Sequence, residues 1–489
     1  MSGKVRADNT NELLIHLLQQ VVRQDGEIML VLEDAHWLDS ASWGLALLVP
    51  QRVQPILLVL AARPMVEPLP LEYSELLHDP RTEKLVLGTL PPADVISLIC
   101  QRLGVSELPP ALINLITEKT DGNPFFAEEI AYALRDKGAI SIAKGECRII
   151  NLQATELPDT VQGVITHRID QMGPAQQLTL KVASVIGRIF EFGTLHDIYP
   201  IEADKARLVD YLTGLARLDI TQLETPEPDL SYIFKHIITQ EVAYDLLLFS
   251  QRRELHRAVG SWYEQAYADD LSPFYSFLAF HWQEAQVTPK ALDYLEKAGE
   301  QALRSYANEE AVRFFSKALS LAEEQRGRGA EEKPTSNLPT FQPSNLPTLH
   351  RTARWELRLG EAYASWVKYA EARAHLERGL ALLGLPLPSG KVNLTAGLLK
   401  LALQQALYRL WPAHFVGRRA AESETLLEAA RAYEGLTAVY YFANETIPSL
   451  YAALRSLILA EAAGPSPELA RGYASVGVIL SFVPLHSLA

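Results

Sequence analysis

The stretch Met29-Leu-Val-Leu-Glu-Asp-Ala-His-Trp-Leu-Asp39 decides the fold of the first part of the chain. Its first four residues are apolar without alternation, which predicts a short strand buried on both faces. Glu33 and Asp34 follow at the carboxyl end of that strand, the edge where open α/β sheets bind ligands. One carboxylate there can hold Mg²⁺, and the next can orient an attacking water. By themselves, the two acids are equally compatible with an acidic turn after a buried strand.

A second apolar run, Pro55-Ile-Leu-Leu-Val-Leu-Ala-Ala-Arg63, predicts a second buried strand. It ends in an arginine just before Pro64, where a solvated side chain would also be ordinary. Leucines and a valine at helical spacing predict a helix at 11–23, before the first strand. Another helix is expected from about Trp43 onward, with a cap among residues 39–42. The expected order is therefore helix, strand, helix, strand.

A second motif is Thr120-Asp-Gly-Asn-Pro-Phe-Phe-Ala-Glu-Glu-Ile130. Gly122 permits a tight turn, and Pro124 after Asn123 fixes the start of the next helix. The alternative is an ordinary corner between two helices. Either way, the motif predicts a sharp turn followed by a helix.

Beyond about residue 270, apolar residues at helical spacing predict one helix after another. The pattern at 359–380, with small residues beside large ones, is typical of a tetratricopeptide repeat, and similar pairs follow. An ordinary helical bundle is the alternative. Two segments interrupt the repetition: the polar, proline-containing stretch 327–350, which repeats Ser-Asn-Leu-Pro-Thr, and an insertion at 385–417 with an amphipathic helix.

Composition sets limits on function. The 489 residues carry a net charge of −14, which disfavours nonspecific binding to nucleic acid or to anionic membranes. The two cysteines, Cys100 and Cys147, give neither a disulfide framework nor a zinc pattern, in keeping with a cytoplasmic location. The amino terminus lacks the apolar core of a signal peptide, and no run of about 18 uncharged apolar residues occurs. We therefore expect no membrane association.

The string Leu-Glu-Asp-Ala-His-Trp-Leu-Asp-Ser-Ala-Ser resembles the Walker B segment of the AAA-like ATPase module in bacterial STAND signalling proteins. It is most similar to large regulators that join this module to tetratricopeptide repeats, often beside a nucleotide cyclase, a protein kinase or a DNA-binding domain. The resemblance implies a nucleotide-driven switch that uses ATP or ADP with Mg²⁺, and an ATPase as the enzyme class. Gly122, Asn123 and Pro124 resemble the Gly-x-Pro signature of the STAND lid.

The resemblance also implies roles for individual residues. Glu33 would help bind Mg²⁺ and Asp34 would position water, so that both are metal-binding and catalytic candidates. Arg63 would sense the γ-phosphate, and Pro124 would touch the base and ribose. His236, at the end of the predicted strand Ser231-Tyr-Ile-Phe-Lys-His236, is the candidate for contact with the β-phosphate of ADP, with a purely structural hydrogen bond as the alternative.

The predicted fold class is mainly α, with a partial α/β P-loop-type ATPase core, a helical lid and a winged helix, followed by an α-solenoid of tetratricopeptide-like repeats. The predicted domains are the carboxyl-terminal part of the ATPase core at 1–70, the lid at 71–150, the winged-helix module at 151–265, repeats at 266–326, a low-complexity linker at 327–350, and further repeats at 351–489 with the insertion at 385–417.

A P-loop, Gly-x-x-x-x-Gly-Lys-Ser/Thr after a strand, does not occur in this sequence, and Gly3-Lys4 is a chance match. We therefore expect a fragment of a longer regulator, truncated at both ends, with impaired hydrolysis because the lysine and amides that stabilise transferring charge are missing. The alternative is a non-catalytic interaction scaffold whose repeats bind a protein partner. Self-association is left open. A DNA-binding regulator is disfavoured because the winged-helix segment lacks a dense basic recognition helix.

Overall fold

The computed structural model describes residues 3–65, 69–151, 158–331, 349–410 and 416–481. The chain divides into two compact units: Met1–Glu83 with Thr288–Ala489, and Lys84–Val287. Helices dominate both, and the prediction of a mainly α protein is confirmed. Within the described ranges, no helix has the length and apolarity needed to cross a membrane.

The chain begins with a small α/β arrangement that belongs to the first unit. Its elements are α1 (Gly3–Asp25), β1 (Ile28–Leu32), α2 (Ser40–Arg52), β2 (Ile56–Leu60) and α3 (Leu71–His78). The two strands pair in parallel, Ile28 opposite Ile56 and Leu32 opposite Leu60. Asp39 caps α2, its Oδ1 accepting a hydrogen bond from the Ser42 amide at 2.7 Å. The predicted order of helix and strand is therefore observed.

The prediction that these strands are buried on both faces is wrong. Alternate residues point away from the core, and Met29 and Leu57 are 64% and 59% exposed. In the described part of the chain, α1, α2 and α3 pack against one face of the pair, through residues such as Ile15, Trp43 and Leu76. The other face carries no helix there, so its apolar residues meet solvent.

The second unit combines short helices with two small sheets. Its first half consists of α4 (Pro92–Leu103), α5 (Pro110–Thr120), α6 (Pro124–Asp136) and the antiparallel pair β3 (Ile140–Ala143) and β4 (Glu146–Ile149). These elements share a core around Ile99, Leu112 and Ile130. All three helices begin at a proline, which suits the first helical turn, and the helix start predicted at Pro124 is observed.

The rest of the second unit contains a three-stranded antiparallel sheet of order β5-β7-β6. The elements are α7 (Val161–Asp170), α8 (Pro174–Ile186), β5 (Ile189–Glu191), α9 (Phe192–Ile198), α10 (Leu208–Arg217), β6 (Thr221–Thr225), β7 (Ser231–Phe234), α11 (Ile237–Asp245), α12 (Phe249–Ala266) and α13 (Tyr275–Glu284). Apart from α13 and the last residue of α12, this mixture of helices and a small antiparallel sheet lies in the segment 151–265 that the sequence predicts as a winged helix.

The first unit resumes with helices, most of which pack against the next helix along the chain. They are α14 (Thr288–Arg304), α15 (Asn308–Glu331), α16 (Leu349–Ser365), α17 (Tyr369–Leu382), α18 (Lys391–Leu410), α19 (Ser423–Phe442), α20 (Thr446–Ala463) and α21 (Pro467–Ser481). Small residues let the helices approach: a Cβ at Gly379 would lie 2.4 Å from Leu357 Cδ2. Most of the predicted linker at 327–350, including both Ser-Asn-Leu-Pro-Thr copies, lies outside the described residues.

Candidate functional site

The carboxyl ends of β1 and β2 meet at one edge of the parallel pair. The Ala61 amide donates to the Leu32 carbonyl at 3.0 Å, and the Ala35 amide donates to the Ala61 carbonyl at 2.7 Å. One step further, the Arg63 amide donates to His36 Nδ1 at 3.4 Å. The backbone thus brings the segment with Glu33 and Asp34 beside the segment with Arg63.

The side chains at this edge differ in exposure and backbone shape. Glu33 and Arg63 are exposed, whereas Asp34 is half-buried. Asp34 adopts a left-handed conformation with φ of 52°, which turns the chain out of the strand and into a short 3₁₀ turn at Ala35–Trp37. His36 was not recognised as part of this edge from the sequence, although it lies within the quoted motif.

The Gly-Asn-Pro motif forms the predicted corner in the second unit. Gly122 has φ of +74°, and its carbonyl accepts a hydrogen bond from the Leu90 amide at 2.8 Å. A Cβ at this position would lie 2.4 Å from the Leu90 carbonyl oxygen, so only glycine fits. Asn123 Oδ1 accepts from the Phe126 amide at 3.0 Å and caps α6, with Pro124 as its first residue.

His236 lies next to this corner, although it is distant in sequence. It precedes α11, and its ring centroid is 4.1 Å from that of Phe125, the residue after Pro124. Burial, together with the charge of Lys235, lowers the pKa of His236 to about 4. The imidazole is therefore neutral at neutral pH.

The corner rests on an ionic cluster that the sequence interpretation missed. Buried Glu129 on α6 accepts two hydrogen bonds from Arg168 Nη1, both 2.7 Å long. Arg168 Nη2 also donates a hydrogen bond to the Leu218 carbonyl at 2.7 Å. Asp219, the residue after Leu218, accepts hydrogen bonds from Tyr132 Oη at 3.1 Å and from Lys235 Nζ. Two consecutive glutamates within the largely apolar stretch 125–134 of α6 were the available signal, since buried acids require partners.

The pKa shifts in the cluster follow from burial and charge. Burial raises the pKa of Glu129 against the attraction of Arg168. Burial, with the charge of Asp219 next in size, raises the pKa of Tyr132 to about 12. Burial alone would also raise the pKa of Asp219, but the hydrogen bond and charge of Lys235 hold it below its usual value. Lys235 therefore links the cluster to the adjacent His236.

The candidate residues can be compared with what a nucleotide and Mg²⁺ require. Mg²⁺ at nucleotide sites takes one or two carboxylates together with phosphate oxygens and waters, so the acids at the end of β1 have suitable donor chemistry. In the described ranges, no group of three or more His, Cys, Asp or Glu could hold a metal ion by itself. Glu33, Asp34 and Arg63 belong to the first unit, whereas Gly122, Asn123, Pro124 and His236 belong to the second.

The chain is thus a mainly helical protein with a parallel two-stranded pair that ends in acids, a glycine-proline corner beside a neutral histidine, and helices that pack in pairs. Residues 94–148 match a family described as a domain of unknown function, DUF8739. The chain is also similar to rat adenylate cyclase type 10, with 23% identity over 295 residues that cover 52% of this chain and 18% of that protein. An uncharacterised Rhizobium meliloti protein, R02095, is 24% identical over 65% of this chain and 30% of its own length.

Among solved structures, the chain is similar to a Pyrococcus horikoshii Signal Transduction ATPase with Numerous Domains that has a tetratricopeptide repeat sensor. The identity is 12%, the TM-score is 0.41, and the match covers 97% of this chain and 68% of that one. A protein of the class named from the sequence is therefore among the similar structures. The likeness is too distant to transfer a site or an activity. The chain spans less than a third of either curated relative.

Proposed function

We propose that this chain is the switch and sensor part of a STAND-type signalling ATPase, and that it binds ADP or ATP with Mg²⁺. The observation that carries the proposal is the contact between the Gly-Asn-Pro corner and His236. The resemblance assigns nucleotide contacts to both features, which are far apart in the sequence. In the structure, Phe125 and His236 pack against each other. A shared location is what a common ligand requires.

Each side chain has a chemical part in this proposal. Pro124 presents an apolar ring to the base and ribose at a corner that Gly122 and Leu90 hold in place. His236, neutral before binding, donates an N–H to the β-phosphate, and the anionic phosphate then raises the pKa of the imidazole. Bound nucleotide affects the ionic cluster through Lys235, which is adjacent to His236 and contacts Asp219.

The acidic edge in the first unit is proposed separately, as a site for Mg²⁺ and phosphate. Glu33 would contribute to Mg²⁺ binding, Asp34 would orient water, and Arg63 would interact with the γ-phosphate. Hydrolysis would be impaired, because the sequence has no P-loop lysine and amides to stabilise the transferring charge. The proposed role is therefore nucleotide-dependent switching rather than rapid turnover. We place this activity in the cytoplasm, where nucleotide is abundant.

A second candidate is a non-catalytic scaffold whose repeats bind a protein partner. The specific observation for it is the close packing of the paired helices, as at Gly360, where a Cβ would lie 2.5 Å from Leu376 Cγ. Such packing produces the extended surface that repeat proteins use for binding. In this case the acidic edge and the corner would have structural roles only.

Calorimetry with ADP and with ATP, each with Mg²⁺, separates the two candidates. We expect ADP binding that weakens about tenfold or more in His236→Gln, which changes the site in the second unit. We expect Asp34→Asn, which changes the site in the first unit, to reduce the effect of Mg²⁺ on ATP binding. Asp25→Asn and His350→Gln change exposed residues of the same types and serve as matched controls. Absence of binding at millimolar nucleotide would favour the scaffold. Equal binding by all variants would remove these residues from the site.

A further inference from the structure

Helix α18, in the insertion between repeats, has two apolar faces. Its inner face is anchored to the repeat array: Leu394 and Leu401 are buried in a core shared with α19 and α20. Gly397 lies so close to Tyr451 that a Cβ would be 3.0 Å from the tyrosine ring, and Gln405 Nε2 donates to Glu461 Oε1 at 3.0 Å. The helix is therefore held in a fixed orientation.

The outer face of α18 carries an apolar stripe that is 41% to 82% exposed, and its members are Val392, Leu399, Leu403, Leu407 and Leu410. Their spacings of seven, four, four and three residues place them on one side of an α-helix. At 1.5 Å per residue, the stripe extends over about 27 Å. Five large apolar residues in one continuous row are characteristic of a contact surface.

The charges around the outer stripe have one sign. Lys391 and Arg409 border it on one side and Lys400 on the other, all three exposed. No acidic residue occurs between 391 and 410, although the whole chain has a net charge of −14. A local basic rim around an apolar stripe selects a partner with acidic residues at the matching positions.

The same charges argue against other occupants. If two copies paired stripe to stripe, the basic rim of each helix would face that of the other, and like charges across an interface are repulsive. An anionic lipid surface would attract the rim but repel the acidic remainder of the protein. A helix in a separate protein satisfies both the apolar stripe and the basic rim.

We propose that the outer face of α18 docks an amphipathic helix of a partner protein, whose leucine-type apolar stripe is bordered by glutamate or aspartate. The inner-face contacts fix α18 on the repeat array, so the docking surface is formed before the partner arrives. Occupancy of this surface does not require bound nucleotide. The surface thus gives the repeat region a defined kind of partner.

Selection from a displayed library of amphipathic helices tests the proposal with the whole 489-residue chain. Each helix has a constant leucine stripe, and the bordering positions are varied among Glu, Gln and Lys. We expect enrichment of Glu at the bordering positions. A selected helix, made as a peptide, should lose about tenfold or more in affinity for Lys391→Glu/Lys400→Glu and for Leu399→Glu/Leu403→Glu.

The controls distinguish the charge and the stripe from general surface effects. Lys317→Glu reverses an exposed charge on α15, and Leu349→Glu changes an exposed leucine on α16, both in the same unit. Neither should alter binding. Enrichment of Lys or Gln, no enrichment, or equal losses in the controls would overturn the proposal. So would a dimer in light scattering that Leu399→Glu/Leu403→Glu dissociates, or binding to vesicles containing phosphatidylglycerol without binding to the peptide.

Discussion

Gly122 is subject to two separate constraints at the corner before α6. Its φ of +74° disfavours any side chain, and the Leu90 carbonyl oxygen occupies the place of a Cβ. We expect Gly122→Ala to destabilise the second unit by roughly 2 to 3 kcal/mol, because strain and clash add. Chemical denaturation of the full chain measures the change.

The matched control for that substitution is Gly138→Ala. Gly138 has φ of +67° but nothing within 4 Å of a Cβ, so it isolates the backbone strain, about 1 kcal/mol. The difference between the two variants reports the close approach of Leu90. Equal effects at both positions would show that the corner is looser than the structure indicates.

The buried pair of Glu129 and Arg168 allows a second prediction about single residues. Removing only the arginine in Arg168→Met leaves a buried carboxylate without its partner, which should cost about 3 to 5 kcal/mol of unfolding free energy. The double variant Glu129→Leu/Arg168→Met should recover much of that loss, since neither charge remains buried. Urea denaturation of the wild type, both single variants and the double variant measures the coupling.

An exposed pair in the same unit provides the comparison. Arg148 Nη2 and Glu146 Oε2 are 2.9 Å apart, but their side chains are 76% and 64% exposed. Arg148→Met should change stability by no more than about 0.5 kcal/mol. If Arg168→Met were as mild as this, the Glu129 site would have to be hydrated rather than buried.

The packing of α12 against α13 brings two histidines together. His256 Nδ1 and His281 Nδ1 are 2.9 Å apart, and Tyr244 Oη is 2.9 Å from His256 Nε2. Burial lowers the pKa of His256 to about 4, with the charge of Arg252 as a further cause. Burial and the facing His256 lower the pKa of His281 well below its usual value. One Nδ1 must carry the proton that the other accepts, so protonating both is unfavourable.

This pair predicts loss of stability in mild acid. Because the folded-state pKa values lie below those of the unfolded chain, the unfolded state binds more protons between about pH 6.5 and 4. Stability is complete above that window and falls as the pH falls through it, by roughly 1 to 2 kcal/mol for His256 between about pH 7 and 5. The lowered pKa of His281 acts in the same direction. Urea midpoints at the two pH values measure the slope.

Two variants distinguish an effect on the pH dependence of stability from an effect on stability at neutral pH. His281→Phe should lower stability at neutral pH, because His256 loses its partner, and should also flatten the pH slope. His350→Phe, at an exposed position of α16, should leave the slope unchanged. Identical slopes in the wild type and His281→Phe would mean that these histidines do not resist protonation.

At the level of helices and strands, the sequence predicts local structure well where a signal is local. The cap at Asp39, the helix start at Pro124 and the helix within 385–417 follow from nearby residues, and all are observed. Strand burial was predicted wrongly, because apolar runs such as 29–32 do not reveal how many faces neighbouring elements cover. That property depends on packing partners that are distant in sequence.

At the level of the whole molecule, sequence patterns did not predict which residues distant in the chain contact each other. Phe125 with His236, and Glu129 with Arg168, are contacts for which a single sequence has no periodic signal. The predicted domains follow chain order, whereas one compact unit joins Met1–Glu83 to Thr288–Ala489. The candidate residues could be named individually, but their surroundings could not.

That joined unit has a specific contact between its two chain segments. Glu310 on α15 accepts hydrogen bonds from the Ser40 amide at 3.2 Å and from Ser40 Oγ at 3.0 Å. Ser40 is the first residue of α2, whose amides lack partners within the helix, so the carboxylate satisfies a free donor and interacts favourably with the helix dipole. The contact connects the segment that follows the acidic motif to α15.

Removing this carboxylate should therefore affect a helix far away in sequence. We expect Glu310→Ala to lower the stability of the first unit by about 1 to 2 kcal/mol, because a charge-assisted acceptor at a helix start is lost. Hydrogen exchange of the first amides of α2, followed by mass spectrometry, should become faster. Glu309→Ala, at the adjacent exposed position of α15, should change neither quantity. Unchanged exchange in Glu310→Ala, or the same acceleration in both variants, would show that α2 and α15 are held together by apolar packing alone.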